Sequence, residues 1–362
     1  MCGAKRRSFD MRKKLISVND LNVSGESVIV RADLDVPVEE TPDGVRVVDE
    51  QRIKVAVPTV REILDRGAKR VVIIGHMGAD GKRSTSLLQP LLENLLGEVV
   101  SFERKFNLDR GMDGGFQEKG RVVLLENLRL YSGEKENDPE FASVLSGWGG
   151  VYVNEAFGVS HRAHASVVAL PEKMRKERKQ VGVGLRFDQE VFNLDKIWQI
   201  QGYKVLIVGG AKAKDKLGYA ISLSSRFDRV LVGGRLPIEA QGSDEFENLG
   251  DKVIMGKLRE DGLDIDEATI SRFVEEIEKT KVAVVAGPMG KYEEADSSKG
   301  TKDIIQAAAR YPMYSVGCGG DTASALARFV SGAQFDWVSV GGGAALEFLD
   351  KGNLPGMEAL SV

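Results

Sequence analysis

The chain has 362 residues, of which 42% are hydrophobic and 29% are charged, and its formal net charge is −4. This composition is ordinary for a globular protein, and the length favours two domains, each large enough to bury its own core. The slightly acidic balance argues against general attraction to nucleic acid or to a membrane surface, so any cationic patch must serve a specific ligand.

Cysteine content and the N-terminal segment bear on cellular location. Cys2 and Cys318 are far apart in the sequence, which favours a reducing compartment without a disulfide framework. No apolar run reaches the ~18 residues that a membrane-spanning helix needs. Residues 1–14 are basic but lack the apolar stretch of a secretory signal, so we expect a short solvated arm. We therefore expect a cytoplasmic monomer with no nucleic-acid or membrane partner.

Short runs rich in valine and isoleucine recur along the chain and predict strands. They lie at 27–31, 70–75, 121–125, 150–154, 204–208, 229–232, 282–286 and 336–340. Their nearly continuous apolar character is typical of strands that are covered on both faces.

Helical patterns separate these runs, at 51–66, 138–146, 301–310 and 322–330. Asp49 is a suitable N-cap for the first of them, and Pro139 suits the first turn of the second. The alternation of strand and helix predicts an α/β fold with parallel, doubly wound sheets.

The division into domains follows from the middle of the chain. A charged stretch at 171–180 ends the first set of strands, and an amphipathic segment at about 185–201 precedes the second. We predict an N-terminal domain at 1–180, a connecting helix at 181–200 and a C-terminal domain at 201–350. The tail at 351–362 is long enough to pack back on the N-terminal domain.

Histidine is rare in this chain, and each histidine follows a predicted strand. His76 ends one such run, while His161 and His164 follow another. Four arginines lie beside comparable strands or turns: Arg31, Arg52, Arg129 and Arg162. Open parallel sheets place ligands at the carboxyl ends of their strands, and arginines bind anions in a fork geometry. The pattern suggests a phosphorylated or carboxylated substrate, although an isolated loop histidine can simply bond nearby carbonyls.

The segment around Gly319 and Gly320 predicts a phosphate site. Glycines let a backbone approach a ligand closely, and the N–H groups of a helix that opens at Asp321–Thr322 would bind phosphate. The carboxylate of Asp321 would repel phosphate unless Mg²⁺ lies between them. The alternative is that Asp321 is only an N-cap and the glycines form a tight turn. Both interpretations stay open at this point.

Two lysines follow the strand at 204–208. Lys212 and Lys216 are four residues apart and would share one face of a helix. Lysines there can neutralise the charge that builds up in phosphoryl transfer, although a solvated charged turn is the alternative for each. Glycine-rich turns at 233–234, 287–290 and 341–343 also follow strands, and together they predict a close-approach pocket for a flat ligand such as a nucleotide.

Longer motifs run through nearly the whole chain. They are RADLDVP (31–37), DEQRIKVAVPTV (49–60), GHMG (75–78), LLENLRLYSGEKENDPEFA (124–142), VYVNEAFGVSHRAHAS (151–166), GGAKAKDKLG (209–218), GPMGKYE (287–293), KGT (299–301), GGDTASA (319–325) and GGGAALEFL (341–349). In this order they resemble the phosphoglycerate kinase family. The resemblance implies two Rossmann-like domains that close by hinge bending. It also implies reversible transfer of the acyl phosphate of 1,3-bisphosphoglycerate to ADP, giving 3-phosphoglycerate and ATP.

The resemblance also implies roles for single residues. Phosphoglycerate binding falls to Asp33, Asp35, Arg52, His76, Gly78, Arg129 and Arg162. Nucleotide binding falls to Lys212, Lys216, Gly233, Gly234, Gly287, Glu293, Gly319, Gly320, Asp321, Thr322 and Gly341. The transferring phosphoryl group would be contacted by Arg52, Lys212, Gly319 and Gly320. Asp321 would hold Mg²⁺.

Several positions depart from the family pattern. Ala79 stands where the family's H-L-G-R-P has arginine, a loss for which Lys82 or Arg83 could substitute. Asp35 stands at an asparagine position, Ala286 at the asparagine of W-N-G-P, Arg235 and Cys318 at glycine positions, and the stretch 236–264 is short. We expect these changes to weaken peripheral binding more than the central transfer set.

Two other functions remain open beside the kinase. One is a non-catalytic homologue that binds nucleotide or a partner protein. The other is a kinase for a different acyl phosphate, which Ala79 and Asp35 favour.

Overall fold

The computed structural model describes residues 15–42, 44–104, 120–210, 214–241, 244–310, 313–330 and 335–361. Within these ranges the strands are β1 (Ser27–Arg31), β2 (Val38–Thr41), β3 (Gly44–Val47), β4 (Arg70–Ile74), β5 (Val100–Glu103), β6 (Val122–Leu125), β7 (Val151–Asn154), β8 (Gln180–Val183), β9 (Lys204–Val208), β10 (Arg229–Val232), β11 (Val253–Met255), β12 (Val282–Ala286), β13 (Tyr314–Cys318) and β14 (Trp337–Ser339).

The α-helices of the same ranges are α1 (Gln51–Asp65), α2 (Gln89–Leu96), α3 (Ser132–Lys135), α4 (Pro139–Ser146), α5 (Ala169–Lys176), α6 (Leu185–Gln199), α7 (Lys214–Leu223), α8 (Leu236–Glu239), α9 (Asp244–Glu247), α10 (Glu267–Glu278), α11 (Lys299–Ala308), α12 (Gly320–Phe329), α13 (Gly342–Lys351) and α14 (Pro355–Glu358). None of the described helices is both long enough and apolar enough to cross a bilayer.

The eight predicted strands are all present, and the α/β class with parallel sheets is confirmed. Most of the strands that the sequence did not reveal lack a continuous apolar run, and β11 has one of only three residues. The β2–β3 hairpin carries Glu39, Glu40 and Arg46 on a largely exposed ribbon, and β13 contains Ser315 and Gly317. Alternating or interrupted hydrophobicity gives a weaker signal than the buried valine runs of the central strands.

The N-cap predicted for α1 is wrong by one residue, and the alternative in which Asp321 is only an N-cap does not hold. The N-cap of α1 is Glu50, although Asp49 Oδ1 accepts a hydrogen bond from Gln51 N at 2.8 Å. The N-cap of α12 is Gly319, so Asp321 lies inside the first turn rather than at the cap. Gly319 has a φ of +95°, which an L-residue adopts only under strain, and this backbone turn sets the start of the helix earlier than predicted.

The described residues divide into two compact units, the first made of 15–191 with 353–361 and the second of 192–352. In the first unit the strand order is β5-β6-β4-β1-β7-β8, and every neighbouring pair is parallel. Arg31 pairs in register with both Ile74 and Asn154, so the carboxyl ends of three central strands are level. Valines and isoleucines of β1 and β4 form the core with apolar side chains of α1 and α2.

The C-terminal tail belongs to this same unit. Gly356 N donates to Ser160 O at 2.9 Å, and Arg175 Nη1 donates to Ala359 O at 3.2 Å. Met357 and Leu360 of the tail are fully buried. Burial of two apolar side chains and these hydrogen bonds hold the tail against the loop that follows β7 and against α5.

The second unit has the strand order β11-β10-β9-β12-β13-β14, again with parallel neighbours throughout. In chain order this is 3-2-1-4-5-6, and the order reverses between β9 and β12, where such sheets bind ligands. Val208 pairs with both Val232 and Ala286, so the glycine-rich loops after three strands begin at one level.

Candidate active site

The predicted phosphoglycerate residues of the first unit gather at the carboxyl edge of its sheet. Asp33 and Asp35 follow β1, His76 and Gly78 follow β4, and Arg129 lies in a 3-10 helix after β6. This edge brings residues that are distant in sequence into direct contact because parallel strands end at the same side.

Arg52 reaches this edge from the first turn of α1. Its Nη1 lies 3.4 Å from Asp33 Oδ2, and the side chain of Arg52 is 33% exposed while that of Asp33 is 6% exposed. Charge-assisted hydrogen bonds are usually about 2.7–2.9 Å long, so this pair is loose. The guanidinium of Arg52 is therefore oriented by Asp33 and still able to bind an anion.

The loop after β4 is fixed from two sides. Gly78 N donates to Asp35 Oδ1 at 2.8 Å, and Arg129 Nη1 donates to Gly78 O at 2.9 Å. Gly78 has a φ of +72°, a conformation that favours glycine. The extra carboxylate of Asp35 is thus partly neutralised by a backbone N–H, and Arg129 is held beside it.

His76 lies beneath this surface and is 1% exposed. Its Nδ1 is 2.8 Å from Arg31 Nη2, and its Nε2 is 3.8 Å from Asp35 Oδ2. Burial lowers the pKa of His76 far below its usual value, and the nearby charges of Arg31 and Arg129 lower it further. A neutral imidazole is the stable form here.

His164 and Arg162 complete the cationic side of the site. Burial lowers the pKa of His164 to about 4, and the charge of Arg129 adds to this effect. Arg162 is exposed, and its Nε donates to His161 Nε2 at 3.3 Å. Burial also lowers the pKa of Arg129, with the charge of Arg162 as the next cause. Arginines that repel one another in this way create a positive potential, which is typical of an anion-binding site.

The structure shows which cations lie near Ala79, where the family pattern has an arginine. Lys82 Nζ lies 3.7 Å from Asp80, and Arg83 Nη2 lies 3.8 Å from Glu40. The carbonyl oxygen of Ala79 instead accepts a hydrogen bond from Lys135 Nζ at 2.9 Å. Lys135 was not foreseen from the sequence, because only the fold shows that the end of α3 lies near this loop.

In the second unit a cavity of about 460 Å³ opens beside the glycine-rich loops. Three of the residues that the resemblance assigns to nucleotide binding line this cavity: Gly234, Glu293 and Asp321. The apolar part of its wall was not foreseen and consists of Leu258, Leu263, Pro288, Met289 and Tyr292. A mostly apolar cleft with a few polar groups is the usual form of a small-molecule site.

The predicted glycines differ in what surrounds them. A Cβ on Gly233 would lie 2.5 Å from Met289 Sδ, and one on Gly287 would collide with the backbone of Gly209. A Cβ on Gly320 would meet nothing within 4 Å. Glycine is therefore required by protein packing at the first two positions, whereas at Gly320 the space in front of the backbone is open.

Lys216 lies at the bottom of these loops. Its Nζ donates to Gly209 O at 2.6 Å and to Ala286 O at 3.2 Å. Burial lowers the pKa of Lys216, and the charge of Asp321 opposes that shift. Lys212, the other predicted lysine, lies outside the described residues.

Two helix N-termini meet next to the cavity. The first intrahelical bond of α12 runs from Ala323 N to Gly319 O at 2.9 Å, so the N–H groups of residues 320–322 precede it. The N-cap of α13 is Gly341, and a Cβ on Gly319 would lie 3.2 Å from Gly342 Cα. Positive ends of two helix dipoles are thus close together, which favours phosphate.

The side-chain hydroxyl of Thr322 bonds to groups within the protein. Its hydroxyl donates to Cys318 O at 2.9 Å and accepts a hydrogen bond from Gly287 N at 2.9 Å. The side chain is 1% exposed, so the hydroxyl ties α12 to the loop after β12. Only the backbone N–H of Thr322 is directed to the helix N-terminus, where a phosphate would bind.

Comparison with known proteins gives one consistent family. A family model described as phosphoglycerate kinase matches residues 18–240 and 236–352. The phosphoglycerate kinase of Rubrobacter xylanophilus is 34% identical over 395 residues, which are 95% of this chain and 97% of that protein. That of Salinibacter ruber is 33% identical over 399 residues, which are 96% of this chain and 99% of that protein.

Solved structures agree with the sequence relatives. Phosphoglycerate kinase from Coxiella burnetii has a TM-score of 0.78 at 27% identity, and it covers 96% of this chain and 98% of that chain. Phosphoglycerate kinase from Pyrococcus horikoshii has a TM-score of 0.80 at 25% identity with the same coverage. The resemblance drawn from the motifs is therefore confirmed.

These matches span almost the whole chain in both sequence and structure. The reaction of this enzyme class is the reversible transfer of the acyl phosphate of 1,3-bisphosphoglycerate to ADP, which gives 3-phosphoglycerate and ATP in glycolysis. The chain belongs to the phosphoglycerate kinase family.

Proposed function

We propose that the two units divide the substrates of this reaction between them. The cationic sheet edge of the first unit binds 3-phosphoglycerate or 1,3-bisphosphoglycerate, and the cavity of the second unit binds ADP or ATP. The observation that carries this assignment is the contrast between the two edges. One edge is a cluster of arginines around a neutral histidine, and the other is an apolar cavity next to two helix N-termini.

On the phosphoglycerate side, Arg129 and Arg162 bind the anionic ends of the ligand, with His76 as a neutral contact. Gly78 borders the ligand and shapes the site, because its N–H and carbonyl bond Asp35 and Arg129. Asp33 orients Arg52, and Asp35 orients the loop that contains Gly78. Arg52 stabilises the charge of the transferring phosphoryl group, because a loosely paired guanidinium can move to it. No proton has to be removed from a carboxylate that attacks phosphorus, so neutral histidines suit this site.

On the nucleotide side, the N–H groups of Gly320 and Thr322 bind phosphate oxygens at the start of α12, and Gly319, whose N–H donates to Ser339 O at 2.9 Å, forms the turn that lets the phosphate approach. Lys216 binds the ADP phosphates, and Lys212 contacts the transferring group. Glu293 binds the ribose, while the loops at Gly233, Gly234, Gly287 and Gly341 shape the adenosine end. The apolar wall at Leu258, Leu263 and Tyr292 supports a flat base in the cavity.

The carboxylate of Asp321, together with nucleotide phosphates, forms a donor set that fits Mg²⁺. Asp321 lines the cavity, and no cluster of three metal-ligating side chains is found among the described residues. Mg²⁺ is commonly held by one or two carboxylates with substrate phosphates and water rather than by a protein cage. Asp321 would hold the ion, which would neutralise charge on the nucleotide phosphates.

The proposed division into domains explains how phosphoryl transfer can exclude water. We assign an N-terminal domain to 1–180, a connecting helix to 181–200, a C-terminal domain to 201–350 and a docking tail to 351–362. Transfer between ligands on two domains excludes water only when the domains close, and hinge bending at the connecting helix supplies that motion. The enzyme would act as a cytoplasmic monomer.

A kinase for a different acyl phosphate is the second candidate. Ala79 removes an arginine that the family pattern places here, and Asp35 adds a carboxylate. The contacts of Lys135 with Ala79 and of Gly78 with Asp35 offset both changes, which favours phosphoglycerate.

The test is ATP formation from 1,3-bisphosphoglycerate and ADP in a coupled assay, with Lys212→Ala as the inactive control. Turnover above that control supports the kinase. Equal rates would instead favour the non-catalytic nucleotide-binding homologue. Turnover with 3-phosphoglycerate, compared in the reverse direction with other phosphorylated and plain carboxylates, separates the two kinase candidates.

A further inference from the structure

A chain of buried polar groups lies behind the anion site of the first unit, and the proposed function uses only its last member. Ser166 Oγ donates to Glu134 Oε1 at 2.6 Å, and Arg31 Nε donates to Ser166 Oγ at 2.8 Å. Arg31 Nη2 then lies 2.8 Å from His76 Nδ1. Arg31, Glu134 and Ser166 are 0% exposed. We call these four residues the Arg31 chain.

The contact between Arg31 and His76 determines the tautomer of the imidazole. Every guanidinium nitrogen of arginine is a donor, and arginine does not lose its proton in proteins. His76 Nδ1 must therefore accept this hydrogen bond and carries no proton. A neutral ring with an accepting Nδ1 has its proton on Nε2.

The other members of the chain keep Arg31 in this position. The Ser166 hydroxyl accepts from Arg31 Nε and donates to the carboxylate of Glu134, so the buried cation is linked to a buried anion through one hydroxyl. Tyr152 OH donates to Ser166 O at 2.8 Å and fixes the same segment. A buried charge with such partners is oriented rather than mobile.

The Nε2–H of His76 is left available to a ligand. Asp35 Oδ2 lies 3.8 Å from Nε2, which is too long for a hydrogen bond. The charged and titratable groups that face His76 are Arg31, Arg129, Arg162, His164 and Asp35. Four of these groups are arginine or histidine and only one is acidic, so a second proton on the ring is disfavoured.

We propose that Arg31 is a positioning residue that holds His76 as the neutral Nε2–H tautomer, so that the ring always presents a donor to the bound anion. Carboxylate and phosphate oxygens accept hydrogen bonds, whereas the opposite tautomer would direct a lone pair at them. The inference rests on the proposed role of His76 in binding phosphoglycerate. It adds that His76 can donate its Nε2–H to the ligand without gaining or losing a proton.

The first experiment reads the tautomer without any ligand. The protein has three histidines, so long-range ¹H–¹⁵N spectra of ¹⁵N-histidine protein are simple, and His76→Gln assigns the signal. We expect an unprotonated Nδ1 and a protonated Nε2 that both stay unchanged between about pH 5 and 8, the range in which an ordinary histidine titrates. A titrating ring or a protonated Nδ1 would overturn the proposal, whatever binds at the surface.

The second experiment replaces the ring itself. Gln places its amide nitrogen near the position of Nε2, whereas Asn reaches only the position of Nδ1. We expect KM for 3-phosphoglycerate to rise about tenfold more in His76→Asn than in His76→Gln, the scale of one lost hydrogen bond to a charged group. Equal losses would overturn the donor role of Nε2. If neither variant changed KM, His76 would not contact the ligand and the proposed function would fail as well.

The third experiment separates positioning from packing at Arg31. Arg31→Lys keeps a donor that can reach His76, whereas Arg31→Met keeps the bulk and loses every donor. The phosphate of 3-phosphoglycerate titrates at about pH 6 and contributes the same pH dependence to KM in every variant. In folded protein, confirmed by the amide spectrum, the ratio of the variant KM to the wild-type KM should therefore change between about pH 5 and 8 in Arg31→Met and stay constant in Arg31→Lys. A constant ratio in both variants would contradict the proposal. Ser166→Ala is a smaller change within the Arg31 chain. It should shift the ¹⁵N signals of the His76 ring in the same direction as Arg31→Met does, but by less.

Discussion

Lys216 Nζ donates a hydrogen bond to the carbonyl oxygen of Gly209 at 2.6 Å. The ammonium therefore sits among the backbone carbonyls at the ends of β9 and β12, where the strand order of the sheet reverses. A cation held by neutral dipoles keeps most of its charge for an incoming anion, because no carboxylate neutralises it. Asp321 acts on it only through its longer-range field.

Lys216→Met should lower nucleotide affinity while leaving the fold intact. Loss of one charge-assisted contact is worth about 1.5–3 kcal/mol, so KM for ADP should rise about 10- to 100-fold. The carbonyls of Gly209 and Ala286 lose a donor, and the free energy of unfolding should fall by roughly 1–2 kcal/mol. Steady-state kinetics and urea unfolding measure the two effects.

Lys302→Met is the matched control, because this lysine is exposed on α11 of the same unit. Its KM for ADP should equal that of the wild type. If Lys216→Met also left KM unchanged, the ammonium would serve only to bind the strand-end carbonyls.

Arg52 should act mainly on kcat. In Arg52→Ala the charge that develops on the transferring phosphoryl group loses one preorganised donor, and kcat should fall about 10²-fold or more. Arg52→Lys keeps the charge without the fork geometry and should recover part of this loss. A change confined to KM would refute a role in the transition state.

Lys54→Ala is the control on the same helix. Lys54 pairs with Glu50 at 3.0 Å on an exposed face of α1. Exposed pairs of this kind are worth about 0.3–0.5 kcal/mol, so neither kcat nor stability should change appreciably. This control separates general loss of positive charge on α1 from loss of the guanidinium that faces Asp33.

The glycines illustrate what could be predicted from the sequence and what could not. The pattern correctly located glycine turns after β9, β10, β12 and β14, because each follows a run that predicted a strand. It could not tell why glycine is needed at each one. Gly233 and Gly287 leave room for Met289 and for the backbone of Gly209, a packing requirement that depends on how loops meet in space.

Other residues of the site could not be predicted from the local sequence pattern. Leu258 and Leu263 come from the short stretch before α10, where an antiparallel bridge joins Leu258 to Ile265. Lys135 reaches Ala79 across 56 residues of sequence. Such contacts are set by tertiary packing, whereas the strand ends with Asp33 and His76 were visible because apolar runs stop there.

Gly320→Ala tests whether the open space at α12 belongs to a ligand. A Cβ meets nothing within 4 Å, and alanine is favoured over glycine in helices by up to about 1 kcal/mol, so stability should stay equal or rise. Nucleotide affinity should fall at least about tenfold because the methyl group occupies the approach to the helix N-terminus. Isothermal titration with ADP and thermal unfolding give the two readings.

Gly218→Ala within α7 is the corresponding control, since a Cβ there also meets nothing within 4 Å. It should stabilise the protein to a similar degree and leave ADP binding unchanged. Unchanged ADP binding in Gly320→Ala as well would mean that no ligand approaches this turn.

His164 should make the protein sensitive to acid. Its pKa falls from 6.5 to about 4, first because of burial and then because of the charge of Arg129. Between these values the unfolded chain binds more protons than the folded one, so the free energy of unfolding increases with pH. The stabilisation is complete above pH 6.5 and is lost as the pH falls toward about 4, by roughly 3 kcal/mol in total.

His164→Gln removes this titration but not that of His76, whose pKa is shifted in the same direction. Urea unfolding at several pH values should therefore give a shallower fall in stability below pH 6.5 for the variant than for the wild type. The two proteins should differ by a constant amount above pH 7, where both forms of residue 164 are uncharged. Parallel curves over the whole acid range would show that His164 titrates alike in the folded and unfolded states, and that the arginines around it do not determine its charge.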